Sequence, residues 1–145
     1  MSRGHRLSFK AILVGCIVDL SGSLTLGSSV YGLVVILNSF KGISLEATKT
    51  AVMASNWYLL TILVVGFFCD GLGGYAAVIV APTEGLGNAL GVGVYALLAG
   101  IAATVFGRLG VPPWFSLISW TFAVPSSLLG GHFRLAKEKR RQGVT

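Results

Sequence analysis

The charged residues of this chain occupy short islands, and long apolar runs without a basic residue separate them. Of the 11 Lys and Arg residues, three precede residue 11 and five follow residue 133, which leaves only Lys41, Lys49 and Arg108 in between. Hydrophobic residues make up 54% of the chain and charged residues 11%, which is too little polar surface for a water-soluble fold. The pattern therefore predicts an integral membrane protein, in which charged loops separate apolar helices.

Four apolar runs are long enough to cross a membrane as helices. The first has about 27 residues, more than the roughly 20 that a bilayer requires, which predicts a tilted helix. The predicted spans lie at about residues 11–37, 54–80, 86–106 and 114–131, and a basic tail follows at 132–145. A polar loop, a short turn at Pro82 and a break before Pro112 separate the spans. Residues 1–145 are thus expected to form one all-α transmembrane domain, an integral membrane four-helix bundle with antiparallel neighbours.

The orientation of the predicted spans follows from the distribution of basic residues. The two terminal segments carry eight of the 11 Lys and Arg residues, whereas the first and third loops together carry three. By the positive-inside rule, both termini are therefore expected in the cytoplasm. Trp57 and Trp114 agree with this orientation, because they begin the second and fourth spans at the predicted outer interface, where amphipathic rings are favoured.

Two carboxylates, Asp19 and Asp70, lie inside predicted spans. At 1.5 Å per residue, Asp19 lies about 12 Å from the start of the first span and Asp70 about 15 Å from the end of the second. Because these spans run in opposite directions, both side chains are expected at a similar depth in the cytoplasmic half of the membrane. If the two helices pack together, their carboxyl groups face each other.

Such a pair has two interpretations. An ionised Asp at a helix centre costs about 2.5–3.5 kcal/mol, and protonating it at pH 7 costs about 4 kcal/mol. Two facing carboxyls are therefore expected to share a proton or to bind a cation, which indicates a proton or cation site. The alternative is a neutral Asp that bonds to the backbone or to the nearby hydroxyls of Ser21, Ser23 and Thr25.

Small residues follow Asp70 and recur in the third span. Gly71, Gly73 and Gly74 precede Tyr75, and each glycine weakens a helix by about 1 kcal/mol relative to alanine. This segment indicates either a broken helix that lines a binding site or close packing of helix backbones, and packing is favoured. A stripe of mostly small residues at four-residue spacing indicates a second packing surface, formed by Gly87, Gly91, Tyr95, Ala99, Ala103 and Gly107. Its partner helix belongs to this chain, to a second copy or to another protein.

The basic tail is expected to bind anionic lipid headgroups, because each basic group near such a surface contributes about 1 kcal/mol. Its five basic residues are Arg134, Lys137, Lys139, Arg140 and Arg141. Nucleic acid is not an expected partner, since no aromatic stacking residues are interleaved with the basic side chains.

The sequence contains no recognisable catalytic, zinc-binding or cofactor-binding pattern. Cys16 and Asp19 share a helix face at three-residue spacing, but Cys69 is expected at a depth that differs from that of Cys16 by roughly 9 Å. A disulfide or a metal site is therefore disfavoured, and the thiols are expected to be buried as small apolar groups. We expect neither an enzyme nor a bound metal or cofactor.

Two segments of the sequence carry a family resemblance. Asp70-Gly-Leu-Gly-Gly-Tyr-Ala-Ala-Val-Ile-Val-Ala is followed, after a short polar turn, by Gly87-Asn-Ala-Leu-Gly. They resemble a family of small bacterial four-helix inner-membrane proteins, in which a Gly-Gly-Tyr-x-Ala motif ends the second helix. The first span, which contains Asp19 and Gly22, also resembles the first helix of that family. The resemblance implies a multi-pass protein of the bacterial inner (cytoplasmic) membrane, and it implies no reaction.

These features favour the function of a non-catalytic structural or accessory subunit. Such a protein associates with a second copy of itself or with a membrane-complex partner through its small-residue helix faces. The alternative is a small transporter or channel coupled to protons or cations, in which the membrane-embedded Asp19 and Asp70 carry the ion.

Overall fold

The computed structural model describes residues 7–82, 85–107 and 110–142, and these residues form α-helices and no β-strand. Within them, five helices follow one another along the chain: α1 (Phe9–Ser39), α2 (Leu45–Ala54), α3 (Asn56–Val80), α4 (Leu86–Gly107) and α5 (Pro113–Gln142). The all-α prediction is therefore confirmed. Three of these helices, α1, α3 and α4, are long and apolar enough to cross a membrane.

The predicted fourth span, residues 114–131, lies within α5, which is not among the three membrane-capable helices. Hydroxyl-bearing and proline residues, together with the basic residues of its second half, lower the hydropathy of α5. The helix continues through Pro125, where the sequence predicts a kink, and includes the basic segment as far as Gln142. The predicted tail is thus an extension of α5 up to that residue.

Serine residues begin three of the described helices. Ser8, Ser44 and Ser55 precede α1, α2 and α3, and the hydroxyl of each accepts a hydrogen bond from the amide three residues later. The first amides of a helix have no partner within it, so these hydroxyls stabilise the helix starts.

The loop predicted between the first two spans contains the short helix α2, and α3 begins at Asn56 rather than at residue 54. Ser44 starts α2, and Glu46 in its first turn interacts favourably with the helix dipole. Ser55 then has an extended backbone that separates α2 from α3. The hydropathy pattern does not reveal α2, because its polar and apolar residues are mixed over only 10 positions.

α3 lies at the centre of the fold and packs against α1, α4 and α5. Gly15 of α1 lies beside Gly73 of α3, and Gly22 of α1 lies beside Cys69 of α3. Residue numbers thus rise along one helix as they fall along the other, so α1 and α3 are antiparallel.

α5 runs in the same direction as α3. The rings of Phe67 and Phe122 pack with their centroids 5.3 Å apart. Later along both helices, Gly131 of α5 lies beside Val78 of α3. Residue numbers therefore rise together along the two helices.

α4 runs opposite to α5 and covers one side of the α3–α5 pair. Gly93 of α4 lies beside Val124, and Gly100 lies beside Trp120. The antiparallel direction follows from these contacts, since the higher residue number on α4 meets the lower one on α5.

The backbones of α3 and α5 touch where both helices carry small residues. A Cβ atom at Gly74 would overlap the backbone of Ser127, and a Cβ atom at Gly130 would overlap the backbone of Gly71. Glycine is required at both places, and such small residues are the usual means by which membrane helices approach closely.

The interior consists of small side chains and the exterior of large apolar ones. The fully buried side chains include Ala77, Val78, Ala89 and Val92. In contrast, Phe9, Trp57 and Phe106 are 79%, 83% and 84% exposed. A surface of this kind is unfavourable in water and is suited to contact with lipid.

Candidate functional site

The structure brings Asp19 of α1 and Asp70 of α3 together where the two helices pack. Asp19 is buried, with 6% of its surface exposed, and Asp70 is half-buried. Their carboxyl groups lie within hydrogen-bonding reach of each other. Carboxylate oxygens only accept hydrogen bonds, so this contact requires either a proton on one group or a cation between the two.

Glycine at position 73 allows the carboxyl groups of Asp19 and Asp70 to approach each other. Gly73 follows Asp70 by three residues and therefore shares its face of α3. A Cβ atom at position 73 would lie 2.8 Å from the carbonyl oxygen of Gly15 and 2.9 Å from the Cβ of Asp19. At Gly15, a Cβ atom would lie 2.7 Å from the carbonyl oxygen of Gly73. The lack of both side chains lets α1 approach α3 closely enough for the acids to meet.

Small polar and thiol side chains surround the acid pair. Ser23 Oγ donates a hydrogen bond to Asp19 Oδ1 at 3.4 Å. Cys16 and Cys69 are both buried and free, and a Cβ atom at Gly22 would lie 3.1 Å from Cys69 Sγ. The thiols therefore fill space beside the carboxyls, and they do not form a disulfide.

Within residues 7–82, 85–107 and 110–142, no basic side chain forms an ion pair with Asp19 or Asp70. Residues 11–40, 50–107 and 109–131 contain no Lys, Arg or His. The ion pair between Arg134 and Glu138, at 3.5 Å, lies far along α5. Since an uncompensated charge in a membrane interior costs roughly 2.5–3.5 kcal/mol, compensation has to come from a proton or from a cation that enters the site.

A cavity of about 190 Å³ lies between α3, α4 and α5, and Asp70 forms part of its wall. Phe67, Phe115 and Trp120 are among the residues that line it, together with Ser119. Among the described residues that line the cavity, Asp70 is the one that carries a charge. This carboxyl group therefore contacts Asp19 on one side and the cavity on the other.

The aromatic residues that line the cavity come from α3 and α5. Phe67 precedes Asp70 by three residues, so both project from one face of α3. On α5, Phe115 and Trp120 face the same cavity. Gly100 of α4 lies against the indole, since a Cβ atom there would be in ordinary van der Waals contact, 3.5 Å from Trp120 Cδ1. The sequence analysis missed these three aromatic residues, and the only signal available was an aromatic side chain one turn from Asp70.

Directly after Asp70 along α3, the backbones of α3 and α4 pack closely against α5. Gly74 and Ser127 bring α3 and α5 into backbone contact, and a Cβ atom at Gly93 of α4 would lie 2.8 Å from Val124 Cα of α5. These contacts lie toward the end of α3, whereas the cavity extends from Asp70 toward its start. The cavity is thus closed on the side of the α3–α4 turn.

The remaining predicted packing residues divide into two groups. Gly87 and Gly91 at the start of α4 face Leu7 and Ile12, and a Cβ atom at Gly91 would lie 2.6 Å from Ile12 Cδ1. The first half of the stripe therefore contacts this chain's own α1 segment. Further along α4, Tyr95, Ala103 and Gly107 are exposed and Ala99 is half-buried.

The segment after Asp70 forms uninterrupted helix. α3 extends through Gly71 to Val80, so the alternative of a broken helix at this point is wrong. Packing against α1 and α5 compensates for the low helix propensity of the glycines. Tyr75 is half-buried and lines a separate, largely apolar groove of about 570 Å³ between α3 and α5.

Two buried polar residues join the helices beside the site. Asn88 Oδ1 accepts a hydrogen bond of 2.9 Å from the amide of Ser8, and its Nδ2 donates to the carbonyl of Ala81 at 3.4 Å. Ser127 Oγ donates to the carbonyl of Ala89 at 2.7 Å. These bonds hold the start of α1, the end of α3 and the middle of α5 against the first turn of α4.

The basic segment lies on the last turns of α5, away from the acid pair. Arg134 is half-buried and pairs with Glu138. The exposed basic residues of this segment are Lys137, Lys139 and Arg140. The side chain of Arg141 lies outside the described residues.

No family model matches this chain, and no curated protein or solved structure matches it either. The resemblance to small bacterial inner-membrane proteins therefore stays a prediction.

Proposed function

We propose that the chain is a four-span protein of the bacterial inner membrane, with both termini in the cytoplasm and α5 as the fourth span. Three helices are apolar enough to cross the membrane, and α5 packs along α3 and α4. A fourth span also puts the basic residues of both tails on one side, as the positive-inside rule requires.

Within this arrangement the protein acts as a small transporter or channel, in which Asp19 and Asp70 together bind a proton or a cation. The observation that carries this proposal is the contact between two carboxyl groups in an interior without a basic residue. Intramembrane acids are costly, and they are characteristic of ion and proton pathways.

The pair couples ion occupancy to helix packing. A proton or cation between the carboxyls relieves their repulsion and permits the close α1–α3 contact. When the ion leaves, two negative charges face each other across that contact and favour its separation. Because Asp70 also lines the cavity, the same event changes the charge that the cavity presents.

A second candidate function is that of an accessory subunit in a larger assembly or a homo-oligomer. The observation that favours it is the uncovered second half of the α4 stripe, where Ala103 and Gly107 are exposed and Ala99 is half-buried. Small residues on a lipid-facing helix permit a further helix to approach closely.

Reconstitution into liposomes tests the proposed transport function. Proton flux is measured with an entrapped pH-sensitive dye, and Na⁺ flux with an entrapped Na⁺ indicator, under an imposed gradient. The native chain is expected to conduct one of these ions. Asp19→Asn and Asp70→Asn are expected to reduce the flux to that of protein-free liposomes.

Glu138→Gln provides the matched control, since it removes a carboxylate that lies on the basic segment of α5 rather than in the pair. It is expected to conduct like the native chain. Flux that is absent in the native chain, or equal in all three variants, contradicts the proposal.

A further inference from the structure

The cavity beside Asp70 has the composition of a site for an organic cation. We propose that it binds a small quaternary or alkyl ammonium ion, with Asp70 as the counter-charge and Phe67, Phe115 and Trp120 as the surfaces that enclose the cation. This inference rests on the proposed transport function and names the substrate class of the same site.

The carboxylate of Asp70 in the cavity wall repels anions, and it offers a neutral molecule no charge to pair with. In the part of the chain that the structure describes, Asp70 is the one charged residue that lines the cavity, and the helix segments that form it contain no basic residue. An anion would face an uncompensated carboxylate, whereas a cation supplies the positive charge that the acid pair lacks.

The ligand set distinguishes an organic cation from a metal ion. Hard metal cations prefer six or more oxygen ligands, whereas this cavity offers one carboxyl group and the hydroxyl of Ser119 beside three aromatic rings. Aromatic faces attract cations through the ring quadrupole, and enclosure by several rings is how proteins recognise quaternary ammonium groups. Within the part of the chain that the structure describes, no cluster of three or more His, Cys, Asp or Glu residues is arranged for a metal.

The size of the cavity limits the ligand to a small ion. Its volume of about 190 Å³ is below the range of roughly 300–1,000 Å³ that is usual for sites of drug-sized ligands. A quaternary ammonium ion with short substituents fits this limit, and a cation with several aromatic rings does not.

Binding of the ammonium ion and binding of a proton by the acid pair compete. Asp70 contacts both Asp19 and the cavity, so an ammonium ion bound beside Asp70 takes over the neutralising role of the proton. The proton leaves to the solvent as one positive charge enters, and the net charge of the site is unchanged. The groups around the pair on α1 and α3 are Cys16, Ser23 and Cys69.

Binding of radiolabelled choline to the full chain in detergent, measured by equilibrium dialysis, tests the proposal. Choline carries a quaternary ammonium group, and 3,3-dimethyl-1-butanol is its uncharged counterpart of the same shape. We expect saturable choline binding that the neutral analogue does not displace. Absence of saturable binding, or equal competition by the neutral analogue, overturns the proposal without recourse to any variant.

Variants locate the binding in this cavity. Asp70→Asn is expected to abolish choline binding, and Trp120→Leu is expected to weaken it about ten-fold, as the loss of one aromatic face requires. Trp57→Leu is the control, because Trp57 is 83% exposed at the start of α3 and lies outside this cavity. Gel filtration verifies that both variants are folded. If folded Trp120→Leu and Trp57→Leu bind choline with equal affinity, the assignment of choline binding to this cavity is overturned.

The liposome experiment separates failure of this inference from failure of the proposed function. Ion flux that depends on Asp19 and Asp70, without choline binding, overturns only the assignment of the ligand. Choline binding without any acid-dependent ion flux supports the site and overturns the transport function.

Discussion

Gly73 of α3 packs directly on Asp19 of α1: a Cβ atom at position 73 would stand 2.9 Å from the Cβ of Asp19. Asp70 lies one turn before this contact on the same face of α3. The close approach of α1 and α3 beside the two acids therefore depends on a glycine. Any side chain at position 73 pushes α1 away from the carboxyl of Asp70.

Gly73→Ala is expected to destabilise the protein by about 1–3 kcal/mol, because an added methyl group overpacks a closed helix contact. Denaturant unfolding in detergent micelles, followed by circular dichroism, measures the change. Gly27→Ala is the matched control, since a Cβ atom at Gly27 meets nothing within 4 Å. The control is expected to be neutral or more stable, by up to about 1 kcal/mol, because alanine favours helix. Equal effects of the two substitutions argue against the close α1–α3 contact.

Ser127→Ala removes the buried hydrogen bond of 2.7 Å to the carbonyl of Ala89. In a membrane protein such a bond contributes about 0.6 kcal/mol on average, so a loss of stability of this order is expected in the same unfolding measurement. Thr121→Ala is the control, because the exposed Thr121 hydroxyl donates only within its own helix, to Leu117. A control that loses as much stability as Ser127→Ala contradicts a link between α4 and α5 at this position.

The proposed orientation, with both termini in the cytoplasm, predicts which engineered cysteines react from outside the cell. Lys49→Cys on α2 is expected to react with a membrane-impermeant maleimide in intact cells. Lys137→Cys on α5 is expected to react only after the membrane is made permeable. Labelling of the native chain measures the background from Cys16 and Cys69, which is expected to be low because both thiols are buried. Labelling of Lys137→Cys in intact cells contradicts α5 as a fourth span with a cytoplasmic end.

The exposed part of the α4 stripe predicts the site of any association between chains. Ala103→Leu, in which a bulky side chain replaces the exposed Ala103, is expected to shift cross-linked multimers toward monomer in native membranes. Ala102→Leu makes the same change at the neighbouring exposed position and is expected to leave the multimers intact. Multimers that resist both substitutions, or no multimers in the native chain, speak against the accessory-subunit function.

Hydropathy and axial rise predict much of the helical arrangement. The predicted spans at 11–37 and 86–106 lie inside α1 and α4, because apolar runs of this length have few alternatives to helix. The rise of 1.5 Å per residue puts Asp19 and Asp70 at a similar depth, and the structure places their carboxyl groups in contact.

The cavity could not be predicted from the same signals. It depends on which faces of three helices meet, and hydropathy does not distinguish those faces in a chain that is apolar all round. Trp120 of α5 packs beside Gly100 of α4, and nothing in the sequence indicates this contact between residues 20 positions apart. The short helix α2 was not predicted for a different reason, since its polar and apolar residues are mixed over only 10 positions.

Proton or Na⁺ flux in proteoliposomes, compared between the two single Asn variants and the double variant, tests most directly whether Asp19 and Asp70 act as one ion-binding unit. If they do, Asp19→Asn, Asp70→Asn and the double variant lose the flux to the same extent, because groups that act as a unit are strongly non-additive. Losses that multiply in the double variant, or a single variant that conducts like the native chain, contradict the account.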